Sequence, residues 1–414
     1  MDGLQGIHVR DLTKAAKAFN VVTASTREEF AQPLETLFVA GNRVQSELID
    51  LTFGPLAATV SSVDTQAPPA PASVTAAPFQ TQTAGGWGAM PLGSNPIASV
   101  SCQPERIASD YPFAPHYVEV FGSRMHYVEE GKGEPLLLVH GNATWSYVWR
   151  NVIPHLTPYA RCIAPDLIGF GLSDKPNIEY RWAEQADYLE EFIRKLGLKN
   201  ITLVLNDFGI SLCMRYTMRH EQNVKGMAFF EGVFKTFASL EEAYTADFRP
   251  LFKQFRTGGK GDEGYQMLVD QNFFIEQLLP RAAGRELTAE ELQRYREPFM
   301  EVRSRIPIWQ FARSVPIAGE PKDVWATMTD AVAWFKETNV PKLLFYGTPG
   351  GLVTADFVEW CRRNLRNLKV VHVGPGVHYL TETRPHVIGR ELVKWLGELS
   401  EPCDRRDELN EQSV

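Results

Sequence analysis

Short apolar segments alternate with amphipathic helical stretches over most of this chain. Apolar runs occur at residues 135–139, 161–166, 200–205, 224–230, 342–346 and 369–373. Continuous apolar runs of this length are typical of strands that are buried on both faces of a parallel sheet. Helical stretches such as 183–196 lie between the strands and predict crossover connections. A hairpin pattern at 117–128 comes before the first run, so the chain is predicted to be an α/β protein with a mostly parallel sheet.

The first hundred residues have a different composition. Between Arg43 and Arg106 there is no Lys or Arg, and Pro, Ala, Ser and Thr dominate. Residues 1–54 show helical periodicity, and Ser25 with Glu28 forms a possible capping box. Residues 55–109 have too few apolar side chains to offset the entropy of ordering, which predicts a flexible linker. We therefore expect a short N-terminal helical extension on a linker.

The remaining chain divides into two parts, the first of which contains an insertion. Residues 110–400 carry the α/β pattern and form the predicted main domain. Within it, the segment at about 234–316 is helical, aromatic-rich and charged, which predicts an inserted helical cap. Residues 401–414 form a polar tail.

Charge and cysteine usage exclude several classes of protein. The 414 residues contain 50 acidic and 42 basic side chains, a net charge of −8 that argues against nucleic-acid binding. Five widely spaced cysteines, with no Cys-x-x-Cys pair, argue against a metal site or a disulfide framework. No apolar stretch reaches the roughly 18 to 20 residues of a membrane span, and no secretory signal is visible. We expect a cytoplasmic protein without a metal or cofactor.

Asp207 is the candidate nucleophile. It lies in Leu-Asn-Asp-Phe-Gly at 205–209, where a predicted strand passes into a helix, which is the position of a nucleophile elbow. An aspartate is ionised at neutral pH, so it can attack an sp³ carbon without a base to remove a proton. By itself, Asp207 fits better as a helix N-cap residue, which is a common role for Asp after a strand.

Two further residues complete a candidate catalytic triad. His378 follows the last predicted strand within Gly-Pro-Gly-Val-His-Tyr, at the position of a general base. Glu231 ends the strand after the nucleophile strand, where a carboxylate can orient His378 and stabilise its protonated form. The three residues occur in the order nucleophile, acid and base, which favours a catalytic role for all of them.

Backbone amides complete the candidate site. His-Gly-Asn at 140–142 follows an early strand, so the N–H of Asn142 can form an oxyanion hole with the N–H of Phe208. The side-chain amide of Asn142 adds a donor to the same pocket. Asp166 and Asp174 lie in one loop, and we expect structural roles for them.

With these residues in place, the chain resembles haloalkane dehalogenases of the α/β-hydrolase fold over about residues 110–397. Matching stretches lie at 140–144, 149–151, 161–169, 173–176, 270–274, 316–321 and 374–379. The resemblance is to the branch that has its catalytic acid directly after the sixth strand, and that acid falls on Glu231. Gly-Thr-Pro-Gly at 347–350 stands where an acid would follow the seventh strand, which argues against epoxide hydrolases.

The resemblance implies a reaction and its participants. Asp207 would displace halide from a small apolar halogenated substrate, and His378 would activate a water molecule that hydrolyses the resulting ester. Asn142 and Phe208 would hold the oxyanion, and no cofactor is needed. Plausible residues of the substrate pocket are Phe252, Phe274 and Leu279.

The chain departs from the family pattern at its halide site. The family normally places a Trp directly after the nucleophile, and its indole N–H and the Asn bind the departing halide. Phe208 has no side-chain donor, and Asn206 replaces the usual His or Gln. A hydrogen bond to an ion is worth roughly 1.5 to 3 kcal/mol, which predicts a rate loss of about tenfold to a hundredfold.

The sequence leaves alternatives open. Coelenterazine-oxidising luciferases resemble the same branch and keep the same Asp, Glu and His. An ester or epoxide hydrolase with Phe208 enlarging the apolar side of the pocket is a second alternative. A third is non-enzymatic, in which the N-terminal helices recruit the protein to an unknown partner or surface. The physiological substrate and the oligomeric state do not follow from the sequence.

Overall fold

The computed structural model describes residues 106–245 and 248–400. The predicted N-terminal extension, most of the predicted linker and the polar tail therefore lie outside the described residues. The last four residues of that linker, 106–109, contact the α/β domain. The N–H of Ala108 donates to the side chain of Asn151, and its carbonyl accepts from Arg150 Nε at 2.7 Å.

A single eight-stranded sheet forms the centre of the described chain. Its strands are β1 (Pro115–Val120), β2 (Ser123–Glu130), β3 (Pro135–Val139), β4 (Arg161–Pro165), β5 (Ile201–Asp207), β6 (Val224–Gly232), β7 (Lys342–Pro349) and β8 (Leu368–Gly376). The strand order is β1-β2-β4-β3-β5-β6-β7-β8, and β2 pairs antiparallel with both of its neighbours. The pairs from β4 to β8 are parallel, as the apolar runs predicted.

Helices connect the strands and cover the sheet. They are α1 (Ile153–Leu156), α2 (Trp182–Lys195), α3 (Phe208–Arg219), α4 (Leu240–Ala243), α5 (Arg249–Arg256), α6 (Glu263–Tyr265), α7 (Leu279–Ala282), α8 (Ala289–Arg296), α9 (Ile306–Arg313), α10 (Lys322–Glu337), α11 (Ala355–Asn364), α12 (Leu380–Thr383) and α13 (Pro385–Ser400). Single 3₁₀ or π turns at 146–149, 221–223, 266–270, 274–278, 297–299 and 302–305 complete the set.

The sheet is buried on both faces, and strand β5 shows why. Side chains alternate between the faces of a strand, so Leu203 and Leu205 pack into one apolar cluster and Val204 packs into the other. Helix α13 covers the second cluster through Leu392 and Trp395. Because both faces of β5 are covered, every residue of this strand is buried, including the carboxylate at its end.

A helical cap lies between β6 and α10. Helices α4 to α9 make up this cap, in the region where the sequence predicted one. Its two ends meet at one place, where the N–H of Phe237 donates to the carbonyl of Pro316 and its carbonyl accepts from Ala318 at 2.9 Å. The segments that enter and leave the cap are therefore hydrogen-bonded to each other.

A buried ion network ties the cap to the sheet domain. Arg150 is 3% exposed, and its guanidinium donates to both carboxylate oxygens of Glu382, at 2.6 and 2.9 Å. The same group donates to Glu291, which lies on cap helix α8, at 3.0 Å. Arg285 of the cap also contacts Glu291 and Glu382. Burial makes these pairs depend on each other, because an unpaired charge there would be costly.

Three observations bear on the expected absences. No helix among the described residues is long and apolar enough to cross a membrane. Within 106–245 and 248–400, no group of three or more His, Cys, Asp or Glu side chains is arranged to bind a metal ion. Cys162, Cys213 and Cys361 are buried free thiols.

Candidate active site

Asp207 lies at a sharp turn between strand β5 and helix α3. Its φ of 52° is in the left-handed region, which non-glycine residues rarely adopt and which costs free energy. Glycines allow the chain to approach closely here. A Cβ on Gly141 would lie 2.3 Å from the Asp207 carboxylate, and one on Gly209 would lie 2.5 Å from the carbonyl of Val139. The turn has the geometry of a nucleophile elbow.

Backbone amides hold the Asp207 carboxylate. The N–H of Asn142 donates to Oδ1 at 2.6 Å, and the N–H of Phe208 also contacts the carboxylate. Burial raises the pKa of Asp207 above its usual value, and the charge of His378 and the two amides only partly offset this rise. The two predicted oxyanion donors therefore converge on the side chain that the sequence proposed as nucleophile.

The imidazole of His378 lies between two carboxylates. Its Nε2 is 3.5 Å from Asp207 Oδ2, and its Nδ1 is 3.5 Å from Glu231 Oε2. Burial disfavours the charged imidazolium, but the hydrogen bond that His378 donates to Glu231 and the charges of both carboxylates outweigh it and raise the pKa of His378. The structure thus brings together the three residues that the sequence predicted as a triad.

Glu231 is held by the loop that follows β7. Its Oε2 accepts from the N–H groups of Gly351 at 3.1 Å, Leu352 at 2.7 Å and Val353 at 3.4 Å. The other oxygen, Oε1, is buried and has no hydrogen-bond partner within the described chain. Three amide dipoles aimed at one oxygen keep the carboxylate in place beside His378.

Asn142 and Phe208 contribute unequally as donors to the pocket. Asn142 Nδ2 donates to the carbonyl of Ile308 at 3.2 Å, and its Oδ1 accepts from Ala143 at 2.9 Å. One N–H of the Asn142 side chain is therefore left for a ligand. The Phe208 side chain lines the same cavity but has no polar atom.

An apolar cavity of about 70 Å³ surrounds these groups. The residues that line it are Asn142, Asp207, Phe208, Val233, Phe237, Ala243, Tyr244, Thr245, Phe248, Phe252, Phe274, Leu278, Ala282, Ala312, Val315, Gly351, Leu352, Val377, His378 and Tyr379. Two of the three expected pocket residues, Phe252 and Phe274, are in the wall. Leu279 is not in this wall: Leu278 lines the cavity instead, because neighbouring residues in a helical turn point about 100° apart.

Asp166 is buried, and its carboxylate holds strand β2 and two further segments together. Its carboxylate accepts from the N–H of Ser146 at 2.7 Å and of Leu172 at 2.8 Å, and it contacts His126 Nδ1 at 2.8 Å. Asp174 accepts from the N–H of Arg124 at 2.8 Å. These contacts fit the structural roles expected for both residues.

Two residues near the site were not given roles from the sequence. Asn206 is buried, and its side chain donates to the carbonyls of Phe230 and Glu231 at 3.3 and 3.4 Å, which fixes the backbone of the triad acid. Tyr244 is in the cavity wall, and its hydroxyl has no hydrogen-bond partner among the described residues. No local motif marks either residue, because their roles depend on segments far apart in the chain.

The fold and the elbow define the class of protein to which this chain belongs. Residues 134–260 match the family model of the α/β-hydrolase fold. A haloalkane dehalogenase from Mesorhizobium japonicum is 36% identical over 308 residues, which cover 74% of this chain and 96% of that relative. A haloalkane dehalogenase from Bradyrhizobium diazoefficiens is 40% identical over 289 residues, covering 67% of this chain and 92% of the relative.

Solved structures agree with these relatives. The crystal structure of a putative ancestral haloalkane dehalogenase is 42% identical, with a TM-score of 0.67, and the match covers 69% of this chain and 99% of that one. The haloalkane dehalogenase from Bradyrhizobium elkani is 40% identical with the same TM-score, over 69% of this chain and 98% of that one. The chain therefore belongs to the haloalkane dehalogenase family, a family of hydrolases that act on carbon–halide bonds.

Proposed function

We propose that this protein hydrolyses the carbon–halogen bond of small apolar haloalkanes to an alcohol and a halide. The observation that carries the proposal is the contact of the Asp207 carboxylate with His378 Nε2, 3.5 Å apart, inside an apolar cavity. A carboxylate and a base so arranged suit nucleophilic displacement followed by hydrolysis. Membership of the family supports the same reaction class.

The first step is attack by Asp207. One carboxylate oxygen forms a bond to the halogen-bearing carbon, and the carbon–halogen bond breaks so that the halide leaves with the bonding electrons. The product is an alkyl ester on the enzyme. An apolar cavity excludes the water that would otherwise solvate and weaken the attacking carboxylate.

The second step is hydrolysis of the ester. His378 Nε2 takes a proton from water, and the hydroxide adds to the carbonyl carbon of the Asp207 ester. The N–H groups of Asn142 and Phe208 stabilise the oxyanion. The bond between the carbonyl carbon and the alkyl oxygen then breaks, and the imidazolium, stabilised by Glu231, gives its proton to the departing alkoxide oxygen. Asp207 is left as a carboxylic acid and loses its proton to water, which restores the carboxylate.

Halide release from a panel of bromoalkanes tests the reaction class. We expect wild-type protein to release bromide, and Asp207→Ala to release none above the background. Exposed Asp187→Asn is the matched control, since this carboxylate pairs with Arg215 away from the cavity. Light emission from coelenterazine or ester hydrolysis in place of bromide release would overturn the proposal in favour of another α/β-hydrolase activity.

A trapped intermediate tests the covalent mechanism. His378→Gln removes the base but leaves Asp207, so a bromoalkane should add one alkyl group to the peptide that contains Asp207, as seen by mass spectrometry. His372→Gln is the matched control, because this histidine lies on β8 and contacts Thr348 outside the cavity. If the Asp207 peptide of His378→Gln stays unmodified after incubation with the bromoalkane, an ester on Asp207 is contradicted.

The domain organisation adds a proposal of its own. The predicted extension and linker contribute none of the residues named in the mechanism, whereas residues 106–109 bond to the main domain. We infer that removal of residues 1–105 leaves halide release unchanged. A large loss of kcat in the shortened chain would show that the extension is part of the enzyme.

A further inference from the structure

One residue in the wall of the reactive cavity carries a polar group that has no hydrogen-bond partner among the described residues. Tyr244 follows helix α4 and lines the same cavity as Asp207 and Phe208. The residue is 5% exposed, and its hydroxyl oxygen is buried without a hydrogen-bond partner among the described residues. A buried, unsatisfied hydroxyl costs stability, so its retention calls for a functional explanation.

The ring of Tyr244 is held in place. It stacks on Phe252, with ring centroids 4.2 Å apart and planes inclined by 11°. Burial raises the pKa of Tyr244 against the opposing charge of Arg256, and the nearby Asp207 charge adds to the rise. The hydroxyl therefore stays protonated at neutral pH and can donate a hydrogen bond. The stacked ring holds it in place.

The departing halide needs such a donor. A halide released into an apolar cavity is a buried ion, which is costly unless it accepts hydrogen bonds. Phe208 offers none, and Asn142 has one side-chain N–H left after its bond to Ile308. The hydroxyl of Tyr379, also in the wall, donates to the carbonyl of Asn142 at 3.3 Å.

We propose that the Tyr244 hydroxyl is the second hydrogen-bond donor to the departing halide, in the role that Phe208 cannot fill. This inference rests on the proposed function. Asp207 enters the cavity from a strand end and Tyr244 from the cap, and in-line displacement expels the halide away from the attacking oxygen. The orphaned hydroxyl, the missing donor at Phe208 and the engaged amide of Asn142 thus have one common explanation.

Tyr244→Phe tests the role, because it removes only the hydroxyl. We expect bromide release to fall about 10- to 100-fold, and chloride release to fall further, since chloride is the poorer leaving group. The melting temperature should stay the same or rise, because an unsatisfied group is lost. Tyr265→Phe, on cap helix α6 and outside the cavity lining, is the matched control with unchanged rates.

A halide-binding assay tests the role of Tyr244 without relying on turnover. Sodium bromide should inhibit the wild type more strongly than Tyr244→Phe. It should also raise the melting temperature of the wild type, measured against sodium fluoride, by more than it raises that of Tyr244→Phe. Adding Phe208→Trp to Tyr244→Phe should restore both release and bromide binding. Equal release and equal bromide binding in wild type and Tyr244→Phe would overturn the role of Tyr244.

The two proposals fail in different ways. If the wild type releases no halide from any substrate, the proposed function is wrong, and bromide binding to wild type and Tyr244→Phe still decides whether the hydroxyl holds a halide. If the wild type releases halide and Tyr244→Phe matches it in both assays, the reaction stands and the donor role of Tyr244 is wrong.

Discussion

Phe208 lies face to face with Phe311, with ring centroids 4.4 Å apart and planes inclined by 16°. Phe311 belongs to cap helix α9, and its ring also stacks on Phe170 at 5.4 Å. The side chain directly after Asp207 is thus held by aromatic contacts between the cap and the sheet domain. Stacking of this kind replaces hydrogen bonding at the point where the family has an indole donor.

Phe208→Trp should raise bromide release. The indole N–H adds a donor to the cavity, and stronger stabilisation of the leaving ion is worth about tenfold or more in rate. The larger ring projects into the cavity that Phe208 already lines, so the stack on Phe311 can be kept. The initial rate of bromide release from a short bromoalkane is the measurement.

Phe208→Leu is the control for this change. It removes the stack on Phe311 and adds no donor, so it should not raise the rate. A gain with Leu as large as the gain with Trp would show that space, and not hydrogen bonding, limits the reaction.

The acid side of the pH–rate profile should reflect protonation of the His378 imidazole. Hydrolysis of the ester requires a neutral imidazole. In the free enzyme both carboxylates raise the pKa of His378 above its usual 6.5, and once Asp207 is esterified Glu231 still raises it. Activity should therefore fall as the pH is lowered through the pKa that His378 has in the ester. A profile of kcat against pH for bromide release measures the position of this limb.

Glu231→Gln sharpens the test. Loss of the carboxylate removes an interaction that raises the pKa of His378, so the acid limb should move to lower pH while kcat falls. An acid limb that stays in place in Glu231→Gln would contradict the assignment of this group to His378.

Leu278 should control substrate length. Leu278→Ala removes part of the cavity wall, so kcat/KM should shift in favour of longer bromoalkanes. Leu279→Ala is a matched control, because Leu279 is 1% exposed but does not line the cavity. It should cost about 2–5 kcal/mol of stability without changing the length preference. The same shift in both variants would contradict the role of Leu278.

Arg150 should stabilise the attachment of the cap. Arg150→Met leaves Glu382 and Glu291 buried with one cation fewer, which should lower the free energy of unfolding by about 3–5 kcal/mol. Urea denaturation at neutral pH measures the loss. Arg124→Met breaks an exposed pair with Asp174 and should cost at most about 1 kcal/mol.

The pH dependence of this network has a definite sign. Burial alone would raise the pKa of Glu291, but the hydrogen bonds from Arg285 and Thr288, with both guanidinium charges, lower it to about 2. A lowered pKa means that the carboxylate contributes stability above its usual 4.5 and loses it as the pH falls toward 2. Arg150→Met should therefore unfold at a higher pH than wild type during acid titration.

Local patterns predicted much of this molecule. Apolar runs located the strands of the sheet, and the strand-to-helix transition at 205–209 pointed to Asp207. His378 and Glu231 were found from their places after strands, because parallel strands bring their carboxyl ends to one edge of a sheet. The cavity wall contains Leu278 where the sequence suggested Leu279, since helical periodicity does not specify the register of a short cap helix against a cavity.

The sequence by itself therefore determined the fold class, the family resemblance and the identity of the groups around Asp207. Tertiary structure alone decided which side chains share the cavity with them. The bond of Asn142 to Ile308 and the stack of Phe208 on Phe311 each join segments that are distant in the chain, and the Tyr244 hydroxyl has no partner among the described residues. Strand and helix patterns arise from local backbone geometry, whereas hydrogen-bond satisfaction depends on which distant groups converge after packing.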